Sequence, residues 1–464
     1  MKLSCAQSDR AAGVMLGMAS GDALGAGYEF GPAFDGPVVM KGGGGFNWAA
    51  GEWTDDTSMA IPILRAAASG RDLRDETVLD EIVAAWVDWA TTAPDVGIQT
   101  KGVLNGIEAT ASAARTSAKR LHDARGRSGG NGSLMRTAPV ALAYLDDPTG
   151  LVEAARAISD LTHFEEDAGD ACVLWCFAIR HAILAGEVDV RVGLSALEPD
   201  RAELWTERIV AAEAQQPRDF TKNGWVVEAF QGAWSAIVNG DSLVDILERA
   251  VRGGNDTDTV AAIAGGLAAA GWGFSSIPAA WQRIVHGWPG LRSLDLVRLS
   301  AEVVSGTPAL ERVDYSAYGD ISTLVQHPHD NGVWLGAVGA LDNLPAEVDA
   351  VVTLCRIGSK QVPARIRERV EIRLIDKADP AANPNLDFVL ADAADAVAAL
   401  RAEGHTVLLH CVQAQSRTPT VAALYAARHL NVPIDRALSA VSAALPRARP
   451  NRAFRDALRG LSTS

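Results

Sequence analysis

Gly253-Gly254-Asn255-Asp256-Thr257-Asp258-Thr259 runs directly into Val260-Ala261-Ala262-Ile263-Ala264-Gly265-Gly266. Two carboxylates thus stand at the head of a run of small apolar residues. Asp and Thr are good N-cap and first-turn residues, and the run behind them reads as a buried helix. The positive end of a helix dipole offsets part of the repulsion between the two acids. A divalent cation would offset the rest. Hard cations such as Mg²⁺ take oxygen ligands, and the segment offers two carboxylates and two hydroxyls. Taken alone, the segment is equally well read as an ordinary capped helix.

A second stretch has the same character. Gly51-Glu52-Trp53-Thr54-Asp55-Asp56-Thr57-Ser58 precedes an apolar helix over 59–68. Burying adjacent carboxylates without a cation costs on the order of several kcal/mol. Asp56 and Asp256 are separated by 256 − 56 = 200 positions, so only the fold can bring the two clusters together.

Between and before them lie further candidates. Gly21-Asp22-Ala23-Leu24-Gly25-Ala26-Gly27-Tyr28-Glu29 follows a helix of small residues over 11–19. Its glycines permit close backbone approach. Glu29 and Asp22 are its acids, and Asp22 is read as a cap or turn residue ahead of a catalytic one. Residues 41–45 read as a flexible glycine-rich loop. Gly126 to Arg136 is a glycine-rich loop ahead of a helix over 137–144. Such a loop can present backbone N–H groups to phosphate oxygens, or be a plain loop and cap. His163 precedes a helix over 171–185, and a lone histidine is more often structural than functional. Helices are also expected over 73–89, 225–238 and 243–251. Strand-like alternation is nearly absent before about residue 300, which predicts an all-α region.

The formal net charge of −15 argues against a general nucleic-acid binder but not against a local basic pocket. Five cysteines without a framework pattern fit a reducing cytoplasm. The apolar run over 260–274 is too short for a membrane span, so no membrane partner is expected.

From Pro289 the pattern changes. Residues 289–308 read as transitional and 309–320 as a linker. Short β-rich runs follow at 321–325, 332–336, 348–354, 370–375 and 406–409, with helices over 387–403 and 419–429. Alternating strands and helices predict an α/β domain over 321–464, after an all-α domain over 1–308. The last strand ends in His410-Cys411-Val412-Gln413-Ala414-Gln415-Ser416-Arg417-Thr418. A cysteine at a strand end and an arginine at a helix start are what a phosphate-cradling thiolate needs. Backbone N–H groups and the helix dipole lower the thiol pKa, and Arg417 can hold two phosphate oxygens. Cys411 would then attack phosphorus.

The Gly21–Glu29 block, Thr54-Asp55-Asp56, Asn131-Gly132-Ser133-Leu134-Met135-Arg136, His163 and Asp256-Thr257-Asp258-Thr259 occur in the order of the ADP-ribosylglycohydrolases, and residues 8–300 resemble that family. The resemblance implies an all-helical domain with two Mg²⁺ ions, Mn²⁺ being possible, at the base of a cleft. It implies metal ligation by Thr54, Asp55, Asp56, Asp256, Asp258 and Thr259. It places Glu29 on a mobile acidic loop near the substrate. It sets Asn131, Gly132, Ser133, Met135, Arg136 and His163 along an ADP-ribose.

Residues 320–460 resemble the cysteine-dependent dual-specificity phosphatases, through Trp334-Leu335-Gly336, Val351-Val352-Thr353-Leu354, Ile372-Arg373-Leu374-Ile375-Asp376 and the His-Cys-x5-Arg-Thr loop. The general acid maps onto Asp376, with Asp379 as its rival. Ser416 or Thr418 would stabilise the leaving thiolate. Ala414 stands where that family usually has Gly.

The expected protein is therefore a cytoplasmic, bifunctional hydrolase. One domain would act on an ADP-ribosylated target or ADP-ribose derivative, the other on a phosphomonoester. The competing expectations are a phosphoprotein phosphatase regulated by an ADP-ribose-binding domain, and a C-terminal module that binds phosphate without turnover.

Overall fold

The computed structural model describes residues 2–445 and 447–461. The chain divides into two compact units, 1–277 with 284–308, and 278–283 with 309–464.

The first unit is helical. Its organising pair is α1 (Cys5–Gly25) and α7 (Thr257–Trp272), joined in the site by α2 (Asp55–Ala68). Between α2 and α7 lie α3 (Glu76–Ala90), α4 (Glu166–Ala185), α5 (Val226–Val238) and α6 (Leu243–Arg252), and α8 (Ser293–Ser305) follows α7. The closeness of α1 and α7 has a local cause. Gly13, Gly17, Gly21 and Gly25 recur every four residues and so share one face of α1. A Cβ added at Gly21 would lie 2.0 Å from Ala261 O, and one at Gly25 would lie 2.4 Å from Asp258 Cα. The two backbones touch where any side chain would hold them apart. Thr257 Oγ1 then donates to Gly25 O at 2.9 Å, tying the start of α7 to the end of α1. Helix α4 is apolar and long enough to cross a membrane by length and composition alone, but its flank against this unit is buried core. Among the described residues of this unit the only strand pair is the two-residue ribbon of His286–Gly287 with Leu291–Arg292.

The second unit is a five-stranded sheet flanked by helices. Its strands are β1 (Leu324–His327), β2 (Asp330–Ala337), β3 (Ala350–Thr353), β4 (Glu368–Glu371) and β5 (Val407–Cys411), in the spatial order β1-β2-β5-β3-β4. Only the β1–β2 pair is antiparallel. The central strand β5 is buried along its whole length, as a strand covered on both faces must be. Helices α9 (Leu386–Ala402) and α10 (Arg417–His429) pack on it, and α10 begins six residues after the strand ends.

Two expectations need correction. Residues 309–320 are not a free linker. Ser359 N donates to Leu310 O at 3.0 Å, Lys360 N to Glu311 O at 2.9 Å and Val313 N to Gln361 Oε1 at 3.1 Å, so the stretch is stitched into the second unit. The 289–308 region contains a full helix, α8, ended by Gly306 in the left-handed conformation. The 41–45 loop closes on itself through mutual hydrogen bonds between Gly43 and Trp48.

Candidate functional site

In the first unit three helix ends meet. Asp22, near the end of α1, accepts from Thr54 N at 2.8 Å, Thr57 N at 3.0 Å and Thr57 Oγ1 at 2.6 Å. It caps the start of α2 from another helix. This frees Thr54 Oγ1, which donates to Asp56 Oδ2 at 3.0 Å. Thr259 Oγ1, from the start of α7, donates to the same oxygen at 3.4 Å. The two distant acid clusters therefore converge.

Two groups of three carboxylates result, with ligand atoms within 4.8 Å of one another: Asp22, Asp56 and Asp258, and Glu29, Asp256 and Asp258. Asp258 belongs to both. Glu29 is brought in by its neighbours: Phe30 N donates to Asn255 O, and Asn255 N to Gly31 O, each at 2.7 Å. The Glu29 loop is thereby pinned to the residue preceding Asp256. Asp55 lies alongside, accepting weakly from Gly97 N at 3.4 Å. Asp256 is held by Asn131 Nδ2 at 2.8 Å, while its backbone N–H donates to Asn223 Oδ1 at 3.1 Å.

Burial, then the neighbouring carboxylates, pushes Asp55, Asp56 and Asp258 well above the usual carboxylate range. Burial lifts Asp22 to about 6, and burial with the charge of Asp256 lifts Asp95 to about 6 and Glu29 to about 9. Asp56 Oδ1 and Glu29 Oε2 are buried with no hydrogen-bond partner. Clustered hard oxygens, mutual repulsion and unpartnered lone pairs are the donor chemistry a divalent cation fits. The residues that could hold one are Asp22, Glu29, Asp55, Asp56, Asp256 and Asp258, with Thr54 and Thr259 adjoining.

The 126–136 loop divides. Gly130 and Gly132 remain half-buried at the surface, and Asn131 reaches Asp256. Ser133 and Met135 turn into the interior. Arg136 is 0% exposed, donates to Ile158 O and Thr162 Oγ1, and lies 4.0 Å over the Trp86 ring. His163 is buried beneath Gly132, where a Cβ would stand 2.9 Å from its Cε1, and its Nδ1 pairs with Thr162 Oγ1 at 2.7 Å. Burial, then Arg136, holds His163 well below its usual pKa and hence neutral. The expectation that Ser133, Met135, Arg136 and His163 line a ligand is therefore corrected: they support the loop from below. Arg136 is a buried cation with carbonyl, hydroxyl and aromatic partners, and its Nε alone has none. Sequence reasoning underweighted Asp22 and missed Asp95 and Asn223, each an isolated polar residue without a spacing signal.

In the second unit the 411–417 loop joins β5 to α10. Cys411 is 2% exposed at the strand end. Arg417 Nη1 donates to Leu354 O and Leu374 O, both at 3.0 Å, while its buried Nε has no partner. Asp376 Oδ1 accepts from Ser416 Oγ at 2.7 Å and from Asn451 Nδ2 at 2.9 Å. Asp379 instead caps its own turn by accepting from Ala381 N at 3.0 Å. Of the two acids, only Asp376 is tied to the loop. Ala414 has φ +55°, the left-handed region. His410, behind the cysteine, is lowered to about 4 by burial and pairs with Thr353 Oγ1 at 2.9 Å. Asn451 was not anticipated.

Carboxylates gathered at three helix ends, in a helical unit, define the class. The ADP-ribosylglycohydrolase family profile matches residues 4–308, and the chain belongs to that family. It is 30% identical over 327 residues to the ADP-ribosylarginine hydrolase Tri1 of Pseudomonas putida (strain GB-1), covering 67% of this chain and 82% of that protein. A solved structure titled ADP-ribosylglycohydrolase-related protein complex superposes with a TM-score of 0.51 at 27% identity, over 65% of this chain and 98% of that one. The chain is also similar, over a smaller part, to Dual specificity protein phosphatase 1 of Arabidopsis thaliana, 26% identical over 182 residues, covering 36% of this chain and 90% of that protein.

Proposed function

We propose that the first unit hydrolyses the bond between ADP-ribose and a modified arginine, with two Mg²⁺ ions held by its carboxylates, Mn²⁺ being able to replace them. The observation that carries this is the sharing of Asp258 between the two carboxylate groups. The name of the Pseudomonas relative supports arginine as the acceptor. Bound divalent ions would neutralise the acids, orient the ribose hydroxyls and polarise the attacking water. The chain supplies the rest. Asp22 and Asn131 fix Thr54 and Asp256 in place. Glu29, which the charge of bound ions would return to its ionised form, takes the proton of a water as that water's oxygen bonds to the anomeric carbon. The bond to the guanidine nitrogen breaks, the nitrogen keeps the electron pair and takes the proton from Glu29, and the guanidine leaves protonated. The remaining carboxylate charge stabilises the oxocarbenium character that develops. Asp256→Asn is expected to abolish Mg²⁺-dependent release of ADP-ribose; full retained activity would contradict the assignment.

For the second unit we propose phosphomonoester hydrolysis. The Cys411 thiolate forms the S–P bond while the ester P–O bond breaks, and Asp376 gives its proton to the departing oxygen. Water then hydrolyses the thiophosphate, returning the thiol and releasing inorganic phosphate. Arg417, whose buried Nε has no partner, would hold phosphate oxygens. Release of phosphate from an aryl phosphate tests this: Cys411→Ser should remove it, and Asp376→Asn should lower it far more than Asp379→Asn. The strained Ala414 favours a second reading, binding without turnover, in which the wild type binds inorganic phosphate yet releases none from the ester.

A further inference from the structure

Three exposed apolar side chains sit one position beyond residues that touch the acid cluster. Phe30 follows Glu29 and is 69% exposed; Ile98 follows Gly97 and is 84% exposed; Trp225 follows Gly224, where a Cβ would lie 3.9 Å from Asp256 Oδ2, and is 38% exposed. Phe30 is the unusual one. Its φ is +63°, a conformation that an aromatic residue adopts only when its surroundings impose it. The imposing contact is the backbone pairing with Asn255, itself at φ +62°. The same pairing that delivers Glu29 to the carboxylates therefore holds the Phe30 ring out of the core, with Phe46 edge-on at 6.3 Å between centroids.

The cluster that Glu29, the residue before Phe30, joins is acidic. Asp22, Glu29, Asp55, Asp56, Asp95, Asp256 and Asp258 make seven carboxylates that act on one another. Fully ionised, these seven would outweigh the four positive charges of two divalent ions. A planar cation is drawn both by that field and by an aromatic face. A neutral hydroxyl-linked acceptor gains neither.

We propose that Phe30 is a specificity-determining residue: its ring is the platform on which the guanidinium of the acceptor arginine lies, and it sets the preference for guanidinium-linked over hydroxyl-linked ADP-ribose. This rests on the reading of the first unit as an ADP-ribosyl hydrolase.

The test measures kcat/KM for ADP-ribosyl-arginine and ADP-ribosyl-serine in the full chain, in the wild type, Phe30→Ala and Phe30→Tyr, with inhibition by agmatine alongside. The arginine-to-serine ratio should fall about tenfold in Phe30→Ala, through KM rather than kcat. It should recover in Phe30→Tyr, which keeps the ring, and agmatine should inhibit Phe30→Ala more weakly than the other two. Equal melting temperatures of the three proteins establish that all are folded. An active wild type whose ratio and agmatine inhibition do not change in Phe30→Ala overturns the role of Phe30 alone. A wild type that releases ADP-ribose from neither substrate overturns the underlying reading together with it.

Discussion

Burial raises Asp22, Asp56 and Asp258, and neighbouring carboxylates raise Asp56 and Asp258 further. The sign of the pH effect follows. Unfolded carboxyls titrate near 4, whereas folded Asp22 titrates at about 6 and Glu29 at about 9 without metal. The folded state therefore binds more protons than the unfolded state across that window, and its stability falls as pH rises through it. The melting temperature of chelator-treated protein should drop between about pH 5 and about pH 8, and added Mg²⁺ should restore most at the upper end. A melting temperature that rises over that range would contradict the unneutralised cluster. Ala414 gives a second residue-scale prediction. Its φ of +55° costs about 1–2 kcal/mol, partly offset in a glycine by the greater entropy of the unfolded chain. Ala414→Gly should stabilise the second unit by roughly 0.5–1 kcal/mol in denaturant unfolding. The need for left-handed backbone there was legible in the sequence, because Ala stands where a glycine was expected. The role of Asp22 was not: a single acid in a glycine block looks like a turn residue until the partner helix start is placed against it.

At the scale of elements, the site depends on how closely α1 and α7 approach. Gly21→Ala would set a methyl group 2.0 Å from Ala261 O, a backbone atom that cannot swing away. It should destabilise the first unit by about 3 kcal/mol or more and weaken Mg²⁺ binding with it, since Asp22 and Asp258 ride on these helices. Thermal unfolding with and without Mg²⁺ measures both effects. The long, apolar helices were legible in their periodicity and so were the five strands, apart from their ends. The fourth strand stops at Glu371 rather than 375, and the Leu374 carbonyl beyond it is occupied by the Arg417 guanidinium. Helices that bury little escaped notice. Ala111–Arg125 buries only Ala111, Ala114 and Ala118, so its apolar stripe is too thin to stand out from a polar loop.

At the scale of the whole molecule, each unit carries the residues of its own proposed site. Asp256→Asn should abolish ADP-ribose release and leave aryl phosphate hydrolysis as in the wild type; Cys411→Ser should do the reverse. Paired assays on the two variants check this. The division into a helical unit and an α/β unit was readable from where strand-like runs begin. The assignment of 309–320 to the second unit was not, because it rests on backbone hydrogen bonds to 358–361 that no local pattern announces. The central claim is that acids 200 positions apart jointly grip two divalent ions. Crystals of the Mn²⁺-loaded protein, recorded at the manganese absorption edge, test it most directly. The account predicts two anomalous peaks, both within about 2.4 Å of an Asp258 oxygen, one also bound by Asp56 and the other by Asp256. Absence of any peak within coordination distance of Asp56, Asp256 and Asp258 would contradict it.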